Sequence, residues 1–137
     1  MTEEERLALI NVRDKLANGT YVYAPNALEG IVPAPLSFNM GKIFYKNDCG
    51  SVACIGGWMA GALLNRATPA AAAREYVENG GETGDLYELF YPEGLENWDE
   101  ILPADAVKAI DNMLAHGDPR WAQVRPDLTI DADEADA

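Results

Sequence analysis

Apolar side chains near the start of the chain recur at intervals of three and four. Leu9, Val12 and Leu16 therefore share one face of a helix. Thr2 precedes this helix and Glu5 follows three residues later, the spacing of a capping box in which each side chain accepts the other residue's backbone N–H. Gly19, after Asn18, marks its end.

The period then disappears. Residues 20–46, "TYVYAPNALEGIVPAPLSFNMGKIFYK", contain three prolines and two glycines. Proline removes a backbone donor and biases the preceding residue toward extended conformations. Only Tyr21–Tyr23 and Lys42–Tyr45 lean toward strand, so the segment reads as a long connection with one short β pair. From Ser51 to Asn65 the helical pattern returns. Val52, Ile55, Met59 and Leu63 form a stripe, and Cys54, Trp58, Ala62 and Leu64 fill most of the remaining circumference. A helix apolar all round belongs inside a core. Gly57 and Gly61, four apart, share a face that another element can approach closely, at a propensity cost of roughly 1 kcal/mol each relative to alanine.

Further helices follow. Thr68-Pro69 opens one that ends at Asn79-Gly80. Leu86, Leu89 and Phe90 face inward from a short turn closed by Pro92. Pro103 opens another with the stripe Val107, Ile110 and Leu114, stopped by Gly117, and Trp121 folds back onto the core. The expected fold is mainly α: four to five helices around a central apolar, glycine-rich helix at about 51–65, with a short β pair within 20–46. Residues 1–125 form one globular domain, and 126–137 an acidic, flexible tail.

Length and composition fit this reading. The 137 residues are 48% hydrophobic and 24% charged, ordinary for one domain with a real core. The charge is not ordinary. Ten basic and twenty-three acidic residues give −13, and Glu75 to Asp105 contains ten acids and no base. Nucleic acids and anionic membranes are bound by neutralising phosphate with Lys or Arg, so this surface disfavours both. The N-terminus "MTEEER" is acidic where a signal peptide is basic, and no apolar run reaches the ~20 residues of a membrane span. A cytoplasmic protein is expected. The acids that would face a basic partner are Glu82, Asp85, Glu88, Glu93, Glu96, Asp99 and Glu100.

The two cysteines carry the candidate chemistry. Cys49-Gly50-Ser51 before a helix would place a thiol where the helix dipole favours thiolate. The triplet is similar to the "CGSC" nucleophile signature of papain-like proteases, but Val52 stands where that signature has its second cysteine. A base is also needed, and the single histidine, His116, is sufficiently explained by its place at a helix C-terminus. Cys49 and His116 thus define the catalytic alternative, a cysteine hydrolase or transferase. With three Cys and His in the whole chain, no structural zinc site can be built, and no metal or cofactor is expected.

The run "CGSVACIGGWMAG" resembles a motif of small, uncharacterised bacterial and bacteriophage proteins, Cys-Gly-Ser/Thr-x-Ala-Cys-x-x-Gly-Trp/His-Ala. It maps onto Cys49, Gly50, Ser51, Ala53, Cys54, Gly57 and Trp58, with Met59 where alanine is usual. Phe38-Asn39-Met40, Leu89-Phe90-Tyr91-Pro92 and Trp121 match flanking pieces of the same pattern. The resemblance implies a mainly helical domain of bacterial or phage origin and carries no activity. With Gly61 added, the motif reads as architectural: Gly50 for a tight turn, Ser51 as a cap, and Cys54 and Gly57 keeping a packed face small. The functional expectation is a non-catalytic, acidic protein that binds or modulates a protein with a basic surface, which allows nucleic-acid mimicry. A structural subunit of a larger assembly is the remaining alternative.

Overall fold

The computed structural model describes residues 1–63 and 70–130. Along them run α1 (Glu3–Ala17), β1 (Val22–Tyr23), β2 (Leu36–Phe38), β3 (Phe44–Asn47), β4 (Gly50–Ala53), α2 (Ile55–Leu63), α3 (Ala70–Glu78), α4 (Tyr87–Phe90), α5 (Pro103–His116) and α6 (Trp121–Val124). Single 3₁₀ turns occupy Ala27–Glu29, Trp98–Glu100 and Pro126–Leu128. The mainly α expectation is therefore corrected. This is an α/β mixture in which helices pack beside a four-stranded mixed sheet.

The sheet has the order β1-β2-β4-β3, with β1, β2 and β4 parallel and β3 antiparallel to β4. The two β-leaning runs found in the sequence do become strands, but they lie on opposite edges and never pair with each other. One rung, Tyr23, Phe38, Ala53 and Phe44, belongs to the face turned toward the helices, where Phe38 is fully buried in the main core. The next rung, Val22, Ser37, Val52 and Tyr45, alternates to the other face. There Val52 and Tyr45 meet Ala24, Ala27 and Val32 in a second, smaller core. Residues 20–46 are thus more than a connection: they supply strands and fold over the outer face of the sheet. Asn39 Nδ2 donating to Ala24 O (2.7 Å) and Asn47 Nδ2 donating to Gly30 O (3.0 Å) tie that cover down.

Asp48 and Cys49 make the turn between β3 and β4, whose ends pair at Asn47 and Gly50. Gly50 sits at φ +148°, and a Cβ there would lie 2.5 Å from Ala34 O and 2.6 Å from Pro35 Cα. Only glycine admits so close a backbone approach. Ser51 and Val52, expected in the first turn of the central helix, are in β4 instead, so Ser51 caps nothing. The apolar run Val52–Ile55 is buried on both sides of the strand-to-helix junction, which removes the periodicity that would tell strand from helix.

Cys54 supplies the cap. Its carbonyl accepts Trp58 N–H at 3.0 Å and its Sγ accepts Gly57 N–H at 3.4 Å, starting α2 at Ile55. The expected end of that helix, residues 64–65, lies outside the described residues, as do Thr68 and Pro69. Of the two glycines expected to pack closely, Gly57 does and Gly61 does not, while Gly56 packs closely as well. A Cβ on Gly56 would lie 3.0 Å from both Phe90 and Val77, and one on Gly57 would collide with the Ile43 carbonyl. A Cβ on Gly61 would meet nothing within 4 Å beyond its own helix backbone among the described residues. Gly61→Ala is therefore expected to raise stability by about 1 kcal/mol through helix propensity alone, seen as a higher urea midpoint at unchanged slope.

α1 forms as expected. Thr2 Oγ1 accepts Glu5 N–H (3.1 Å), Glu5 Oε1 accepts Thr2 N–H (2.9 Å), and Leu9, Val12 and Leu16 are buried. Its main partner is α5, where the buried face is Ala106, Ala109, Ile110 and Met113 while Val107 and Leu114 are half-buried. The sequence stripe pointed slightly away from this face because alanines at 106 and 109 weigh little in a hydrophobic pattern, yet their small size admits a neighbouring helix.

Residues 126–130, assigned from sequence to the flexible tail, make specific contacts. Leu128 is buried, its carbonyl accepts Glu96 N–H (2.9 Å), and Ile130 N–H donates to Gly94 O (3.0 Å). Arg125 anchors this return, bonding Asp105 (2.8 Å), Asp127 (2.8 Å) and the carbonyl of Glu100 (2.9 Å). Residues 131–137 of that tail lie outside the described residues. No helix among the described residues is long and apolar enough to cross a membrane.

Candidate functional site

Cys49 is exposed at the tip of the β3–β4 turn, not at a helix N-terminus. Asn47 Oδ1 accepts its backbone N–H at 2.8 Å, which shapes the turn and leaves the thiol without a hydrogen-bond partner among the described residues. His116 ends α5, whose chief neighbours are α1, α4 and α6, whereas the hairpin packs on β2 and leads into α2. No hydrogen bond among the described residues links the two side chains. A base must reach the proton it abstracts, and no principal contact between these elements brings His116 toward the thiol.

Cys54 is buried, and burial pushes its thiol up despite the opposing N–H groups of Gly57 and Gly56. It behaves as a small apolar residue with a weak acceptor sulfur. In the native protein Cys49 is expected to be alkylated readily while Cys54 stays unmodified until the chain unfolds, read by mass spectrometry of the intact protein. Rapid labelling of Cys54 in folded protein would contradict its place in the core. Among the described residues no group of three or more His, Cys, Asp or Glu could hold a metal ion.

Trp58 joins three parts of the molecule. Its ring stacks on Tyr21 (centroids 4.4 Å apart, planes 10° apart), its indole N–H donates to Ser37 O (3.0 Å), and Lys15 Nζ lies 5.8 Å from the Tyr21 centroid. With Cys54 as cap, Gly57 against a strand and Gly50 against Pro35, most of the cysteine motif has a packing role.

A second constellation escapes sequence reading. Glu5 is 1% exposed, and beyond its capping bond its Oε2 accepts Tyr76 OH (2.5 Å) and Glu82 N–H (3.1 Å). Burial on its own would raise the Glu5 pKa. The donors from Thr2, Tyr76 and Glu82 outweigh it, so the carboxylate is held below its ordinary range, while burial and then the bond to Glu5 push the Tyr76 phenol up. Gly81, at φ +87°, passes so near that a Cβ would lie 2.5 Å from Glu5 Oε2. One buried anion thus fixes the loop that carries Glu82 and Asp85.

The acidic residues singled out from sequence lie in this loop and in the segment that follows it, and all but the half-buried Asp99 are exposed. Asp85 is engaged by the Met1 ammonium and by Thr83. The carboxylates of Glu82, Glu88, Glu93, Glu96, Asp99 and Glu100 form no ion pair among the described residues. Glu93 stands near enough to the Tyr87 hydroxyl to push that phenol's pKa up. By contrast Asp105, at the end of the same acidic run, is buried, accepts Leu102 N–H (2.9 Å) and pairs with Arg125.

Two of the acids without an ion pair, Glu88 and Glu93, border a cleft of about 430 Å³ between α4 with the following loop and residues 118–123. Its floor is apolar, made by buried Trp121, Pro92 and Pro119 with half-buried Tyr91. The exposed Glu88, Glu93 and Asp118 stand around it, together with Arg120. Trp121 Nε1 donates to the Glu88 carbonyl at 3.1 Å, so the indole is fixed by a bond within the wall. Arg120 adopts φ +55°, its N–H donating to Asp118 Oδ1 at 3.0 Å. No spacing in the sequence joins Tyr91 to Trp121. The one local signal is the Asp118-Pro119-Arg120 turn.

A scan against protein-family models found no match to this chain, and neither did searches of curated proteins and of solved structures.

Proposed function

We propose that this is a non-catalytic protein-binding domain whose surface around residues 82–100 contacts a basic partner. The observation that carries the reading is the set of six carboxylates there with no ion-pair partner among the described residues. Charges that hold a fold together are paired or hydrogen-bonded, as Glu5 and Asp105 are here. Charges left without an ion pair repel one another, keep phosphates away, and speed encounter with a cationic surface. The catalytic alternative has no hydrogen bond between Cys49 and His116 among the described residues to support it. Bacterial or phage origin, suggested by the motif resemblance, belongs to the same proposal, as does imitation of a nucleic acid by this surface.

The test compares proteins captured from a bacterial lysate by the wild type with those captured by Glu88→Gln/Glu93→Gln/Glu96→Gln/Glu100→Gln. A second variant, Glu3→Gln/Glu4→Gln/Glu29→Gln, removes acids on other parts of the surface. A basic protein retained by the wild type and by the second variant, lost from the first, and released by salt is the expected result. Retention by all three proteins alike would remove the reading.

A further inference from the structure

We infer that the cleft between α4 and α6 receives an arginine side chain from the basic partner, an inference that rests on the acidic-surface reading above. The shape is the starting point. The cleft is concave and of a size for one long side chain with its flanking backbone, and two aromatic rings and two prolines make its floor. An apolar floor alone does not name an occupant. The charge around it does: Glu88, Glu93 and Asp118 stand against Arg120, the single cation among the described residues that line it, a surplus of two negative charges over a low-dielectric surface.

A guanidinium suits both parts of this lining. Its flat, weakly hydrated face stacks on aromatic rings, and its fork of N–H donors matches carboxylate oxygens pairwise. An ammonium makes neither contact as well, being a strongly hydrated point charge. The wall is also set before any ligand arrives. The Trp121 indole is held by the Glu88 carbonyl, and Asp118 fixes the turn at Arg120 through a backbone bond. An anionic or zwitterionic occupant would face three carboxylates with one arginine to offset them.

The experiment is a titration of ¹⁵N-labelled protein with short N-acetylated, C-amidated peptides that differ at one central residue: arginine, lysine or citrulline. Spectra are recorded at low salt on the wild type and on Glu88→Gln/Glu93→Gln/Asp118→Asn, in which the amide oxygen introduced at position 118 can still accept the Arg120 N–H. Circular dichroism checks that the variant is folded. The expected result is saturable movement of the Trp121 indole and of the 88–94 and 118–123 amides with the arginine peptide. Lysine should bind at least threefold more weakly and citrulline not measurably, and the variant should lose at least tenfold in affinity. Citrulline or lysine matching arginine, or a variant that binds like the wild type, would overturn the proposal. Shifts confined to residues 96–100 would overturn the cleft while leaving the acidic-surface reading in place. No shift with any cationic peptide would count against both.

Discussion

Replacing Gly57 by alanine is expected to destabilise the protein by about 3 kcal/mol, the upper end of what overpacking a core ordinarily costs. The new Cβ would point into the Ile43 carbonyl and lie 2.8 Å from Ala53 Cβ. Neither neighbour is free to retreat. Ala53 is paired with Phe44 across the β3–β4 ladder, and the carbonyl of Lys42, just before Ile43, accepts Cys54 N–H at 2.7 Å. Helix propensity alone favours the substitution by about 1 kcal/mol. The sign of the change therefore decides whether packing or propensity governs α2, and Gly61→Ala is expected to go the other way. Urea denaturation of both variants makes the comparison. Two variants stabilised alike would mean that α2 does not sit against the sheet as closely as described.

The loss of Glu5 is the second large effect. Glu5→Ala leaves Tyr76 OH and the N–H groups of Thr2 and Glu82 without their shared acceptor, an expected cost of about 3 kcal/mol for a buried network centred on a charge. Glu5→Gln keeps the volume and one acceptor oxygen, and an intermediate loss is expected. The pH dependence identifies the charged form. A carboxylate whose folded pKa lies below its unfolded value of about 4.5 contributes stability that is present above 4.5 and lost as pH falls through the folded value. The gap between wild type and Glu5→Gln should stay constant from pH 8 to 6 and narrow below about pH 4.5. Taking the difference cancels the acid response of Asp85 and Asp127, whose pKa values are also lowered. A gap that widened on acidification would mean that Glu5 is buried neutral.

These two residues also show where sequence reading stops. Thr2 and Glu5 announced a helix start because a capping box is local, three residues long, and written in residue types. The same Glu5 side chain reaches Tyr76 and Glu82, 71 and 77 positions away, and no pattern along the chain connects them. α5 was legible for local reasons too, Pro103 at its start and Gly117 at φ +73° after its end. The sheet was not. Its strands have two to four residues, too few for alternation to register, and three of them pair in parallel across long separations. β4 also runs into α2 through an unbroken apolar stretch, so strand and helix periods merge within the cysteine motif. The glycine-rich helix was rightly read as closely packed, but composition could not tell Gly56 and Gly57, which touch neighbours, from Gly61, which does not.

The candidate site divides the same way. Free acids between Glu82 and Glu100 can be counted from the sequence, but their lack of partners is a property of the fold. Asp85 and Asp105 belong to the same acidic run and are engaged, by the Met1 ammonium and by Arg125. The cleft needs Tyr91 and Trp121 brought side by side, which only the packing of α6 against α4 and α5 accomplishes.

The central claim is that the acids of this surface are kept for a partner and not for the fold. Its most direct measurement is the denaturation free energy of Glu88→Gln/Glu93→Gln/Glu96→Gln/Asp99→Asn/Glu100→Gln beside the wild type, at about 10 mM and about 500 mM salt, where the screening length is about 30 Å and about 4 Å. Relief of repulsion predicts a variant at least as stable as the wild type at low salt, and a smaller gain from added salt than the wild type shows. A variant destabilised by more than about 1 kcal/mol, beyond the usual range of surface substitutions, would mean that these carboxylates hold the structure together and would contradict the claim.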